Sequence, residues 1–278
     1  WSLPEMSADD LKILQAYPGA QRAIALRQTG WSELADEELR LLFTREGTKL
    51  RIPLATLAAH LGLPATQVFL ARRSVKAGKL PLTIHYPLPE WEPEGGFTID
   101  RAIFFGMMRQ ESGFRPRARS PVGAMGLMQL MPDTASWLMK DRSLRRSKKN
   151  RLYEPVLNMT ISQTYINMLL ETEWTDGNLF KLATAYNGGP GNLLKWQKVM
   201  NFKDDPLLFI ETIPARETRN FIERVFANIW IYRARLGQPA PSLEAVASGD
   251  WPEYEAQDPK ILGGLSGQKE KDALHAKN

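Results

Sequence analysis

Between Tyr86 and Phe97 the chain reads Tyr-Pro-Leu-Pro-Glu-Trp-Glu-Pro-Glu-Gly-Gly-Phe, a run that no regular helix or strand accommodates. Pro87, Pro89 and Pro93 each lack an amide hydrogen and fix their own φ, and Gly95-Gly96 adds freedom where regular structure needs restraint. The run is a connector, and a domain boundary belongs there. Before it, Leu34, Leu39, Leu41, Leu42 and Phe43, then Leu54, Leu57, Ala58 and Leu61, recur in a helical rhythm among polar residues, with Gly30, Gly62 and Pro64 marking turns. After it, helical patterning runs from Asp100 to about Leu236. It is broken at Gly113, Pro121–Gly126, Arg142–Asn150, Gly188–Gly191 and Pro214. No stretch alternates as a strand would. The expected class is all-α: a helical linker domain over 1–85, a main domain over 86–237, and an extended or disordered tail over 238–278, where Pro, Gly and Lys replace apolar residues.

Bulk properties narrow the chemistry. With 43% hydrophobic residues in 278, the chain can bury one large or two modest cores. There is no cysteine, which removes disulfides, thiolate metal sites and cysteine nucleophiles. His60, His85 and His275 lie far apart, so neither a His-rich metal site nor a Ser-His-Asp triad is expected, and no metal or other cofactor is implied. The net charge of +5 favours acidic partners without choosing among them. No apolar run approaches the roughly 18 residues that span a bilayer. The sequence opens Trp1-Ser2-Leu3-Pro4 without a starting Met, so a missing leader says nothing about compartment.

One segment points to catalysis. Asp100-Arg-Ala-Ile-Phe-Phe-Gly-Met-Met-Arg-Gln-Glu111 is apolar around most of its circumference, so as a helix it is buried. It ends on a carboxylate, followed by Ser112-Gly113 as a stop. At the negative end of a buried helix, Glu111 should hold its proton, which is the requirement for a general acid. An arbitrary Glu is far more often a plain surface residue. Downstream, however, Ser120-Pro-Val-Gly123-Ala-Met-Gly126-Leu-Met128-Gln129-Leu-Met131 is a glycine-punctuated loop that allows close approach to a ligand. Within it Gln129, polar among apolar neighbours, needs a specific partner.

Four motifs in order carry a resemblance. They are Glu111-Ser112, Gly126-Leu-Met-Gln129, Ala185-Tyr-Asn-Gly-Gly-Pro-Gly191, and Glu211-Thr-Ile-Pro-Ala-Arg-Glu-Thr-Arg219, with Ser120-Pro-Val-Gly also matching. Over about residues 86–236 the chain resembles the soluble lytic transglycosylases, relatives of goose-type lysozyme. Residues 7–85 more loosely resemble the end of the helical superstructure that precedes the catalytic domain in large members. The resemblance implies a lysozyme-like catalytic domain, in the periplasm, that cuts peptidoglycan between N-acetylmuramic acid and N-acetylglucosamine. Glu111 would protonate the glycosidic oxygen and then, as base, drive closure of a 1,6-anhydro ring, with the substrate N-acetyl group assisting. Most glycosidases use two carboxylates.

By the same resemblance Ser120 orients the N-acetyl group; its ordinary role would be turn-making before Pro121. Met128, Gln129 and Met131 would line the sugar cleft, although core packing explains the methionines at least as well. Tyr186 and Asn187 would face the reacting sugar. Glu211 would contact the saccharide, or else pair with a nearby arginine. Glu217 and Arg219 read as structural, a helix-start carboxylate and its partner. Three departures stand out. Phe221 occupies a position usually held by a Tyr whose hydroxyl lies near the catalytic acid; a pattern that usually runs Asn-Ile-x-x-Gly appears as Asn158-Met-Thr-Ile-Ser162; and Thr184 replaces a common Ala.

Lys140 to Arg151 holds seven Lys or Arg residues. A solvated loop is the ordinary explanation and docking onto peptide carboxylates of peptidoglycan the functional one; nucleic acid is disfavoured, since no recognition motif accompanies the run. Two alternatives to a lytic transglycosylase stay open at this point: a hydrolytic muramidase, and a low-activity peptidoglycan-binding scaffold. A partner in cell-wall or secretion machinery is compatible with each. Oligomeric state is not legible.

Overall fold

The computed structural model describes residues 1–73, 80–259 and 261. The chain divides into two units, residues 1–91 with 112–118, and residues 92–111 with 119–278. The division falls inside the proline-rich run, at Trp91–Glu92, rather than before it.

The first unit contains α1 (Ala8–Gln15), α2 (Pro18–Gln28), α3 (Ser32–Glu46), α4 (Arg51–His60), α5 (Pro64–Arg72) and the single turn α6 (Leu82–His85). Ser7 caps α1 by accepting the Asp10 N–H at 3.0 Å, and proline opens α2 and α5, where its missing N–H costs nothing. Of the periodic residues, Leu39, Leu42, Phe43, Leu54, Leu57 and Ala58 share one core with Leu70 and Ile84, whereas Leu34 and Leu41 are exposed. The residue before α5, Leu63, has no side-chain acceptor to offer. Asp36, buried on α3, supplies it instead, taking the Thr66 N–H at 2.9 Å while Arg40 neutralises it at 3.1 Å.

The second unit is built on α7 (Arg101–Glu111) packed along α13 (Arg216–Arg235). Between them come α8 (Pro132–Leu138), α9 (Pro155–Leu170), α10 (Leu179–Gly188), α11 (Pro190–Val199) and α12 (Pro206–Thr212). From Ala102 to Met108 every residue of α7 is buried, as its apolar circumference requires. The crossing with α13 is close because Gly106 has no side chain. A Cβ there would stand 2.8 Å from Ile229 Cγ1 and 3.1 Å from its amide nitrogen. Asn228 fixes the contact, donating to the Gly106 carbonyl at 3.1 Å and accepting from Arg109 at 2.8 Å. Among the described residues, no helix is long and apolar enough to cross a membrane.

The expected tail is in part a folded element. Residues 241–248 form α14 (Pro241–Ser248), and the following segment returns to the unit. Leu179 N–H donates to the Pro252 carbonyl at 2.8 Å, and Tyr254 N–H to that of Gly177 at 2.9 Å. Trp251 packs edge-on against Phe202 and Phe209. Asp100, fully buried at the start of α7, accepts the N–H groups of Gln257 and Asp258. Asp258 in turn pairs with Arg101 at 2.5 Å. Low apolar content suggested disorder, but these few residues reach buried polar partners instead; residue 260 and residues 262–278 lie outside the described part. Asp258→Asn, which removes the charge opposite a partly exposed Arg101, is expected to lower unfolding stability by about 1–2 kcal/mol in urea titration. A stability equal to wild type would show that the segment rests there without holding α7.

Candidate active site

Glu111 ends α7 at the carbonyl end of its helix dipole, half-buried in the second unit. Burial, and secondarily the negative charge of Glu217, push its carboxyl up to about 8. No cation or hydrogen bond is among the causes acting on it. A carboxylic acid in this setting carries its proton at neutral pH.

Tyr186 on α10 stands close enough for the Glu111 charge to act on its phenol. Burial, first, and Glu111 raise that phenol well above its ordinary range, so it remains a neutral donor. It donates to the Met128 carbonyl at 2.8 Å, its ring lies 5.5 Å from that of Tyr165, and the nearby Ser162 hydroxyl acts on it in the opposite sense, lowering its pKa. Ser162 itself donates to the Asn158 carbonyl at 2.7 Å. The departure at Ser162 thus adds a polar contact beside the site.

The loop from Arg119 to Met131 folds through isolated antiparallel bridges that pair Arg119 with Met125 and Met125 with Leu130. Its frame is Asn158, fully buried on α9. The Asn158 side chain accepts the Met128 N–H at 2.9 Å and donates to the carbonyls of Met125 and Leu152 at 3.0 and 2.8 Å. Gly126, at φ +82°, passes so close that a Cβ would lie 2.2 Å from the Leu152 oxygen and 2.3 Å from Asn158 Nδ2. Gln129 also takes a left-handed φ, +50°, and its amide donates to the Gly126 carbonyl at 2.8 Å. That bond is one specific partner of the kind its setting demanded.

Ser120 Oγ accepts the Ala124 N–H at 2.9 Å, so its side chain does close a turn. The Met128 side chain is fully buried and packs in the core. A side chain without exposure lines no open cleft; the Met128 backbone is held from both sides by Asn158 and Tyr186. Met131 is 40% exposed at the start of α8. Asn187 accepts from Thr218 Oγ1 at 2.8 Å, tying α10 to α13. Glu211 is exposed on α12, and no ion pair joins it to an arginine among the described residues. Glu217, read as structural, acts directly on Glu111 through its charge. Asn158 was legible only as part of a motif; the signal for a buried frame was an amide inside an apolar helical run.

Residues 92–209 match the family described as the Transglycosylase SLT domain. Over that stretch the chain is similar to an SLT domain. The soluble lytic murein transglycosylase of Escherichia coli (strain K12) is 34% identical over 155 residues, covering 55% of this chain and 24% of that protein. The chain therefore spans about a quarter of the length of this relative. An inactive glutamate-to-glutamine mutant of the Pseudomonas aeruginosa lytic transglycosylase superposes with a TM-score of 0.67 at 25% identity, over 86% of this chain and 39% of that one. A 70-kDa soluble lytic transglycosylase in complex with bulgecin A superposes with a TM-score of 0.73 at 25% identity, over 92% and 40%. The all-α fold is the lysozyme-like fold of these neighbours. The SLT domain match includes Glu111, the Ser120–Met131 loop, Tyr186 and Asn187, and stops short of Glu211, Glu217 and Phe221.

Proposed function

We propose that the chain is the catalytic part of a lytic transglycosylase, a metal-independent lyase of the periplasm that cleaves the β-1,4 bond between N-acetylmuramic acid and N-acetylglucosamine in peptidoglycan. The observation that carries the reading is Glu111: a half-buried carboxyl at the end of a buried helix, held protonated to about pH 8 with no cation acting on it. The SLT match and the relatives named above support the substrate class.

In this reading Glu111 gives its proton to the glycosidic oxygen as the bond to the muramoyl C1 breaks. The carboxylate so formed takes the proton of the C6 hydroxyl as that oxygen bonds to C1, and no water is consumed. The neutral Tyr186 phenol keeps the charge near Glu111 low and holds the Met128 carbonyl. Ser120, Gln129, Met131, Asn187 and Glu211 are proposed to contact the saccharide. Phe221, buried on α13, brings no hydroxyl toward Glu111. Stabilisation of the carboxylate between the two transfers then falls to substrate and solvent, which favours a modest rate.

Mass spectrometry of digested sacculi tests the reading. Muropeptides ending in 1,6-anhydro rings are the expected product. Reducing ends, heavier by one water, would make the enzyme a hydrolase. No soluble product from either the wild type or Glu111→Gln would leave only a scaffold.

A further inference from the structure

The basic run from Lys140 to Arg151 takes no part in the acid chemistry. It holds seven Lys or Arg residues against the single acid Asp141, a net +6, whereas the whole chain carries +5. The positive balance of the protein is therefore local, and the rest of the chain is nearly neutral. Solvated faces ordinarily mix both signs. Here Arg151 pairs with Glu154 at 3.1 Å and Arg145 lies 3.8 Å from Asp133, while the Asp141 carboxylate caps the Ser143 N–H at 2.8 Å. Lys140, Arg142, Arg146, Lys148 and Lys149 are exposed and form no ion pair with a described residue.

The run is an anchored element. Its 3-10 turns Arg142–Arg145 and Lys149–Tyr153 sink Leu144 and Leu152 into a core with Met125, Leu130, Ala135 and Ile161. The Ser143 carbonyl receives the N–H groups of Arg146 and Lys148. Met125 and Leu130 belong to the site loop, and the Leu152 carbonyl accepts from Asn158, which frames that loop. The cations are thus displayed on a scaffold continuous with the loop beside Glu111.

We propose that this arm docks the free carboxylates of the peptide side chains that peptidoglycan carries along its glycan strands, an inference that rests on the peptidoglycan reading of the site. Guanidinium groups match carboxylates with paired, parallel hydrogen bonds, and ammonium groups add point charges. A strand held at Glu111 presents such carboxylates at intervals, so one polymer satisfies both surfaces. Trp137 and Met139, exposed just before the run, make an anionic bilayer the competing partner.

The test compares the full chain carrying Glu111→Gln, which binds without cutting, with the same chain after Arg142, Arg146, Lys148 and Lys149 are all changed to Gln. Co-sedimentation is measured with intact sacculi, with sacculi stripped of peptides by an amidase, and with phosphatidylglycerol vesicles. Neutralising the arm should weaken binding to intact sacculi about tenfold, as four exposed pairs of ordinary surface strength would give. The difference should shrink at high salt and vanish on stripped sacculi. Equal binding by both chains to intact sacculi overturns the proposal, as does an unchanged difference on stripped sacculi. Arm-dependent binding to vesicles alone makes the partner a membrane instead. Thermal melts of the two chains should coincide. If the fourfold variant melts early, Lys148→Gln with Lys149→Gln should still weaken binding about threefold. Lytic activity of the wild type on the same sacculi is scored separately: its absence sinks the peptidoglycan reading, whereas arm-independent binding sinks only the docking surface.

Discussion

Glu111→Gln should lower kcat for muropeptide release by about 10³-fold or more, since one group serves as acid and then as base. The amide fills the same space, so the folded structure should persist. Its stability should even exceed that of wild type in alkaline solution. The sign follows from the proton count. The Glu111 carboxyl holds its proton to about pH 8 in the folded chain, against about 4.5 when unfolded. Between those values the native state binds the extra proton, so the contribution of Glu111 makes the wild type lose stability as pH rises through that window. The amide of the Glu111→Gln variant has no such penalty, and the gap between variant and wild type should open through that window towards an upper bound of about 5 kcal/mol. Activity in the wild type should fall along a single limb with a midpoint near 8, because the acid must be protonated. Glu217→Gln removes the like charge and should move that midpoint down. A profile that stays flat through about pH 9, or a Glu111→Gln variant that retains about a tenth of the activity, would mean that another group is the acid.

The sequence made the identity of this acid accessible because two local properties coincide in it. Apolar residues around the whole of 102–108 can only be a buried helix, and a carboxylate at the end of such a helix inherits both desolvation and the dipole. Those effects need no knowledge of distant contacts. Glu217 was beyond the same logic, since its influence depends on α13 lying against α7, more than a hundred residues away in the chain. Residues 238–259 look disordered in sequence for a related reason. Composition reports apolar burial, whereas this segment is held by Asp100 and Arg101 through backbone N–H groups and one ion pair. Met128 was ambiguous for another reason. A methionine in a glycine-rich loop looks the same in sequence whether its side chain or its backbone faces the ligand, and only the bonds its N–H gives to Asn158 and its carbonyl accepts from Tyr186 separate the two.

Gly126→Ala should be the most damaging small substitution in the site loop, costing roughly 3–5 kcal/mol of stability by urea denaturation and nearly all activity. Two costs combine. At φ +82° any L-residue is strained. The new methyl would also meet the Leu152 carbonyl at 2.2 Å and the Asn158 amide at 2.3 Å, neither of which is a flexible end. If the loop retreats, Asn158 loses bonds to Met125 and Met128 in a fully buried position, where unsatisfied polar groups are expensive. Met128 then shifts the carbonyl that receives the Tyr186 hydroxyl, and the disturbance arrives beside Glu111. Asn158→Ala separates the two costs, because it removes the bonds but adds no clash. It should cost about 2–4 kcal/mol, and the double variant should cost less than the sum, since one of the two collisions is gone. Additive losses would mean that Gly126 and Asn158 do not form one frame. A Gly126→Ala enzyme within about 1 kcal/mol of wild type and still lytic would show that the loop has slack which the close approach at Leu152 denies.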